Sequence, residues 1–122
     1  MRPTLEQTSE YQSMAEHQMW TILEAGFKAD LDRFRAGRYK SQNKMLRALI
    51  EIGFANPDQA TTKSYSGDRT RRVAVSINDD QSEMLSNYQQ DKSILHTQDA
   101  LHSLILIGFN IEVQRLNISI GT

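Results

Sequence analysis

The chain has 122 residues, 39% of them hydrophobic and 24% charged, and its 14 Lys and Arg nearly balance 15 Asp and Glu for a formal charge of -1. That is enough for one domain with a thin core, and it excludes a global field that would drive the chain onto nucleic acid or an anionic membrane. With no cysteine there are no disulfides, thiolate nucleophiles or Cys-ligated metals; with neither a secretory apolar stretch in MRPTLEQTSEYQS nor a run near about 18 apolar residues, a cytoplasmic protein without membrane contact is expected.

The first expected element belongs to an N-terminal helical extension over 1–25, a helix around Glu10 to Glu24. Its face would be Tyr11, Met14, Gln18, Met19, Ile22 and Leu23, with Trp20 as a packing anchor. The next stretch is basic: residues 28–47 hold Lys28, Arg33, Arg35, Arg38, Lys40, Lys44 and Arg47 against only Asp30 and Asp32. Such clustering points to a polyanion-facing surface or to a solvated helix face.

A first helix pair is expected over 27–54. Phe27, Leu31 and Phe34 mark a short helix at 27–36, and SQNKMLRALIEIGF at 41–54 marks a second. A polar linker, ANPDQATTKSYSGDRTR, fills 55–71. The segment 72–77 alternates Val73, Val75 and Ile77 with Arg72, Ala74 and Ser76, the period-two pattern of a half-buried strand. A helix at 80–90 follows, with Asp80 and Glu83 as its capping box and Met84, Leu85 and Tyr88 on its apolar face. HTQDALHSLILIGF at 96–109 closes this second unit, which spans 72–109. A C-terminal strand is expected at 115–120, where Arg115-Leu116-Asn117-Ile118-Ser119-Ile120 alternates in the same way.

Segments 41–54 and 96–109 align without gaps and are identical at 6 of 14 positions. In both copies the apolar residues fall at i, i+1, i+4 and i+5, one core-facing stripe of a helix. Gly53 and Gly108 stand where a left-handed residue would end each helix. The polar trios Ser41-Gln42-Asn43 and His96-Thr97-Gln98 stand where N-caps belong. The expected fold class is mostly α with a short two-stranded antiparallel β-ribbon and two helix-pair repeats.

A strand followed by two helices, carried best by residues 72–109, resembles the ribbon-helix-helix family of DNA-binding proteins. The resemblance implies two such units whose strands pair as a ribbon that enters the major groove. Because the first helix pair has no expected strand directly before it, its strand would be 115–120, which makes the chain a tandem, permuted pseudo-dimer. A homodimer pairing 72–77 with its copy is the other arrangement. The ribbon face would then present Arg72, Ala74 and Ser76 beside Arg115, Asn117 and Ser119, residue types that suit guanine, adenine and thymine edges. Unlike strands would let the ribbon read unlike half-sites. The resemblance also implies phosphate contact at the second helix of each unit, by Lys40, Ser41, Gln42, Asn43 and Lys44 and by His96, Thr97 and Gln98.

No enzyme is expected. His17, His96 and His102 do not form a helical metal pair, no phosphate loop or nucleophile elbow is present, and Asp79-Asp80 reads as helix capping. No cofactor or metal is expected either. The anticipated partner is double-stranded DNA, bound by a transcriptional repressor or a plasmid or phage DNA-processing accessory factor. The alternative is a protein-interaction module, antitoxin-like or relaxosome-like, that grips its partner through the N-terminal helix.

Overall fold

The computed structural model describes residues 16–116. Their order is β1 (Glu16–Glu24), α1 (Ala25–Arg35), α2 (Gln42–Ala55), β2 (Arg69–Asn78), α3 (Asp79–Lys92) and α4 (Thr97–Leu116). Four helices thus accompany one two-stranded antiparallel sheet, as the composition and periodicity implied. Each strand directly precedes two helices, so the permuted order expected from the sequence does not hold. The strand that pairs with β2 is β1 of the same chain, with Trp20 opposite Ala74 at the middle of the ribbon.

The expected helix over Glu10 to Glu24 is corrected accordingly, since its described part, residues 16–24, is a strand. The run Trp20-Thr21-Ile22-Leu23 is rich in aromatic and β-branched residues, which suit a pleated surface, and β2 supplies the partner edge. Met19, Thr21 and Leu23 face Val75, Val73 and Arg71 across the pair. Thr21 belongs on this inner side because its hydroxyl donates to the Gln98 carbonyl at 2.7 Å. Tyr11 and Met14 lie outside the described residues. At the other end, Arg115 and Leu116 are the last residues of α4 rather than the start of a strand, and 117–120 lie outside the described residues. Arg115 is instead bound through Nε and Nη2 to Glu112, one helical turn earlier.

The core lies between the ribbon and the helices. Leu23, Val73, Val75 and Ile77 from the strands meet Phe27, Leu31, Phe34, Met45, Leu46, Leu49, Ile50, Leu85, Leu101, Leu104, Ile105 and Phe109. Phe109 packs edge-on against Phe34 and tilted against Phe27. The apolar stripes of 41–54 and 96–109 are therefore core stripes, as expected. Ser41 caps α2 by accepting from the Lys44 N–H. α3 begins earlier than expected, and its capping box is Asn78 with Gln81, not Asp80 with Glu83.

Gly53 and Gly108 do not end helices. Both lie inside them, and among the described glycines the left-handed conformation belongs to Gly37 and Gly67. Their role is close approach: a Cβ at Gly53 would stand 2.6 Å from the Leu104 carbonyl oxygen, and one at Gly108 would stand 2.1 Å from that of Leu49. Helices α2 and α4 therefore cross backbone to backbone, an approach no larger residue permits.

The linker between α2 and β2 is tied down at two places. Buried Asn110 accepts from the Thr62 and Lys63 N–H groups and donates to the Lys63 carbonyl. Buried Asp30 accepts from the Tyr65 hydroxyl at 2.5 Å and pairs with Arg33, while Tyr65 stacks on Phe27. These contacts fix the path by which the chain enters β2.

Candidate nucleic-acid interface

A ribbon packed on one face leaves the side chains of the other face outside the core. On β2 these are Arg72, Ala74 and Ser76, the three residues that alternation assigned to this face, none of them buried. On β1 they are Gln18, Trp20 and Ile22, again none of them buried. The register sets Gln18 opposite Ser76, Trp20 opposite Ala74 and Ile22 opposite Arg72. Gln18, Trp20 and Ile22 take the places that Arg115, Asn117 and Ser119 were expected to fill; Arg115 is on α4, and Asn117 and Ser119 lie outside the described residues. The signal that could have found them is the run of one aromatic and two β-branched residues at Trp20, Thr21 and Ile22, which favours a strand over a helix.

Trp20 is 40% exposed. The Arg72 guanidinium lies over its ring, 4.1 Å from the centroid. This cation–π contact holds a long cationic side chain against the ribbon surface.

One helix N-terminus lies against each strand of the ribbon. At the β2 edge, Asn43 of α2 accepts the Ser76 N–H at 2.7 Å. At β1, the backbone carbonyl of Gln98 in α4 accepts from the inward-facing Thr21 hydroxyl. The Asn43 contact satisfies a backbone N–H of β2 that would otherwise invite pairing with another chain, whereas the Thr21 contact is made by an inward-facing hydroxyl. They also bring the first turn of each helix, with N–H groups that have no acceptor within the helix, next to the ribbon. The two predicted polar trios therefore lie against different strands of one ribbon.

The two helix starts differ in charge. Around the start of α2, Lys40 and Lys44 are exposed, and Arg47 is paired with Glu16 at 2.9 Å. Around the start of α4, Asp99 is paired with Arg69 at 2.8 Å. His96 and Gln98 are exposed there, whereas the Thr97 hydroxyl donates to Gln89. Of the eight expected phosphate ligands, Asn43 has its carbonyl oxygen occupied by Ser76 and Ser41 has its hydroxyl oxygen occupied by Lys44, which leaves the Asn43 amide NH2 and the Ser41 O–H as donors.

Three further groups are held by their neighbours within the fold. The Tyr65 hydroxyl is held far above the ordinary phenol range, first by burial and then by its bond to Asp30. Glu112 raises the Arg115 guanidinium and Asp58 raises the Lys92 ammonium, in each case chiefly by hydrogen bonding. Among the described residues no group of three His, Cys, Asp or Glu could hold a metal ion, and no helix is long and apolar enough to cross a membrane. Comparison with protein-family models, with curated proteins and with solved structures yields no match.

Proposed function

We propose that this chain binds double-stranded DNA in the manner of a ribbon-helix-helix protein, with both strand-helix-helix units supplied by one chain and the outward face of β1 and β2 entering the major groove. The observation that carries the reading is the antiparallel ribbon with a helix N-terminus against each strand, through Asn43 at Ser76 of β2 and through the Gln98 carbonyl at Thr21 of β1. A two-stranded ribbon fits the major groove, and helix N-termini beside it suit the phosphates that border the groove. Arg72, Gln18 and Ser76 supply the donors and acceptors that base edges require. Exposed Lys40 and Lys44 supply charge that the chain as a whole lacks. The act is binding without chemistry, as performed by a repressor or by an accessory factor in plasmid or phage DNA handling.

Trp20 is the chain's single tryptophan, so its emission reports on this face directly. Titration with a random-sequence duplex pool at low salt is expected to change Trp20 fluorescence, and raising the salt to physiological strength should reverse most of the change. Absence of duplex binding even at low salt overturns the reading and makes the outward Trp20 and Ile22 a protein-facing surface instead.

A further inference from the structure

We infer that the ribbon reads an oriented, non-palindromic duplex site, with a guanine beneath the Arg72 end and Trp20 acting as the positioning residue for Arg72. The inference rests on the DNA-binding reading and adds to it the form of the site and the division of work between its halves.

The register defines two ends of the outward face, on either side of the Trp20–Ala74 pair. One end carries Arg72 with Ile22, the other Gln18 with Ser76. Because these four side chains differ, the two halves of a bound site meet different chemistry. Arg offers a planar fork that matches O6 and N7 of guanine, whereas Gln matches N6 and N7 of adenine. An apolar Ile beside the Arg can touch only a thymine methyl or nothing. No pair of identical half-sites satisfies both ends.

Trp20 breaks the symmetry further. It stands opposite Ala74, so Arg72 and Ser76 are its two diagonal neighbours across the ribbon. Its ring is engaged by Arg72. A guanidinium stacked on an aromatic face keeps its N–H edge available for two parallel hydrogen bonds and loses less freedom when it makes them. Among the described residues, this is the one cation–π pair on the ribbon. Conversely, the exposed lysines Lys40 and Lys44 lie by the α2 N-terminus, which touches the strand at Ser76, the Gln18 end. The Arg72 half therefore carries the ring-supported base contact, and the Gln18 half adds exposed lysines for phosphate beside its unsupported one.

The test is selection of bound duplexes from a random pool by the full chain, followed by guanine N7 methylation interference on a selected duplex. The expected site lacks two-fold symmetry and shows interference at a guanine in one half only. Arg72→Ala should lower the preference for that base pair roughly tenfold. Trp20→Ala should lower it about threefold, and Trp20→Phe should retain most of it, because a phenyl ring still accepts the cation. Gln18→Ala should change preference only in the other half. A merely structural role for Trp20 would weaken all duplexes alike, and thermal unfolding of each variant identifies loss of fold. A palindromic selected site, or interference that persists in Arg72→Ala, overturns the oriented reading while leaving DNA binding intact. Failure to retain any duplex removes the DNA reading itself.

Discussion

Gly108 lies so close to Leu49 that a methyl group on its Cα would overlap the Leu49 carbonyl, at 2.1 Å from the oxygen and 2.7 Å from the carbon. Gly53 and Leu104 are the same two aligned positions with the helices exchanged, and a methyl group on Gly53 would likewise stand 2.6 Å from the Leu104 carbonyl oxygen. The neighbour in each case is backbone, which cannot swing away, so a side chain must push the helices apart. Gly108→Ala is expected to destabilise the fold by about 2 kcal/mol, the overpacking cost being larger than the roughly 1 kcal/mol that Ala gains in helix propensity. Gly53→Ala should cost less, in keeping with its longer separation. Urea unfolding of the two variants checks the order as well as the sign.

Asn110 is the second point at which one side chain controls a long stretch of chain. It is buried, and its amide serves the Thr62 N–H, the Lys63 N–H and the Lys63 carbonyl while also donating to Leu106 one turn back. Asn110→Ala leaves two linker N–H groups without this acceptor and should cost about 2 kcal/mol. Amide hydrogen exchange at Thr62 and Lys63 should accelerate more than exchange in the α2 and α4 cores. Equal acceleration throughout would mean that Asn110 supports global packing rather than the linker.

These two sites also indicate what the sequence could and could not convey. β2 was legible because Val73, Val75 and Ile77 all face the core and their neighbours are polar or small. β1 was not, since its inner face contains Thr21 and its outer face contains Trp20 and Ile22, which erases the alternation. Thr21 is acceptable inside only because Gln98 is there to receive its hydroxyl, a partner 77 residues away in sequence. The paired stripes of α2 and α4 were legible from their repeat. The function of the glycines within them was not, because a helix-ending glycine and a helix-crossing glycine leave the same mark in a sequence. Of the candidate face, alternation marked the β2 half, and the β1 half waited on knowing which strand pairs with β2.

Tyr65 predicts an alkaline limit to stability. Its hydroxyl is raised from the ordinary phenol value of 10.0 by burial and by Asp30. The folded state therefore keeps the proton at a pH where the unfolded chain releases it, so this group's contribution is complete below pH 10.0 and is lost as the pH rises beyond it. The urea midpoint of the wild type should fall between about pH 10 and about pH 11, and Tyr65→Phe should show a shallower fall over that range. The variant should start from a lower midpoint at neutral pH, because Asp30 loses a donor. Parallel slopes for the two proteins would assign the alkaline loss to other groups.

Lys40 and Lys44 offer the test that separates phosphate binding from base recognition. Both are exposed and stand at the N-terminal end of α2, where Asn43 touches the β2 edge. Removing a cation that neutralises a phosphate reduces the number of counterions released on binding, so affinity falls and depends less steeply on salt. The Lys40→Ala, Lys44→Ala double variant should weaken binding to all duplexes alike, and the slope of log K against log salt should become shallower by about 0.9 for each phosphate that is no longer neutralised. Trp20 fluorescence titrations from about 50 to about 200 mM salt measure both quantities. An unchanged slope would mean that these lysines do not face phosphate and that the cations of β2, above all Arg72, carry the electrostatic part of binding.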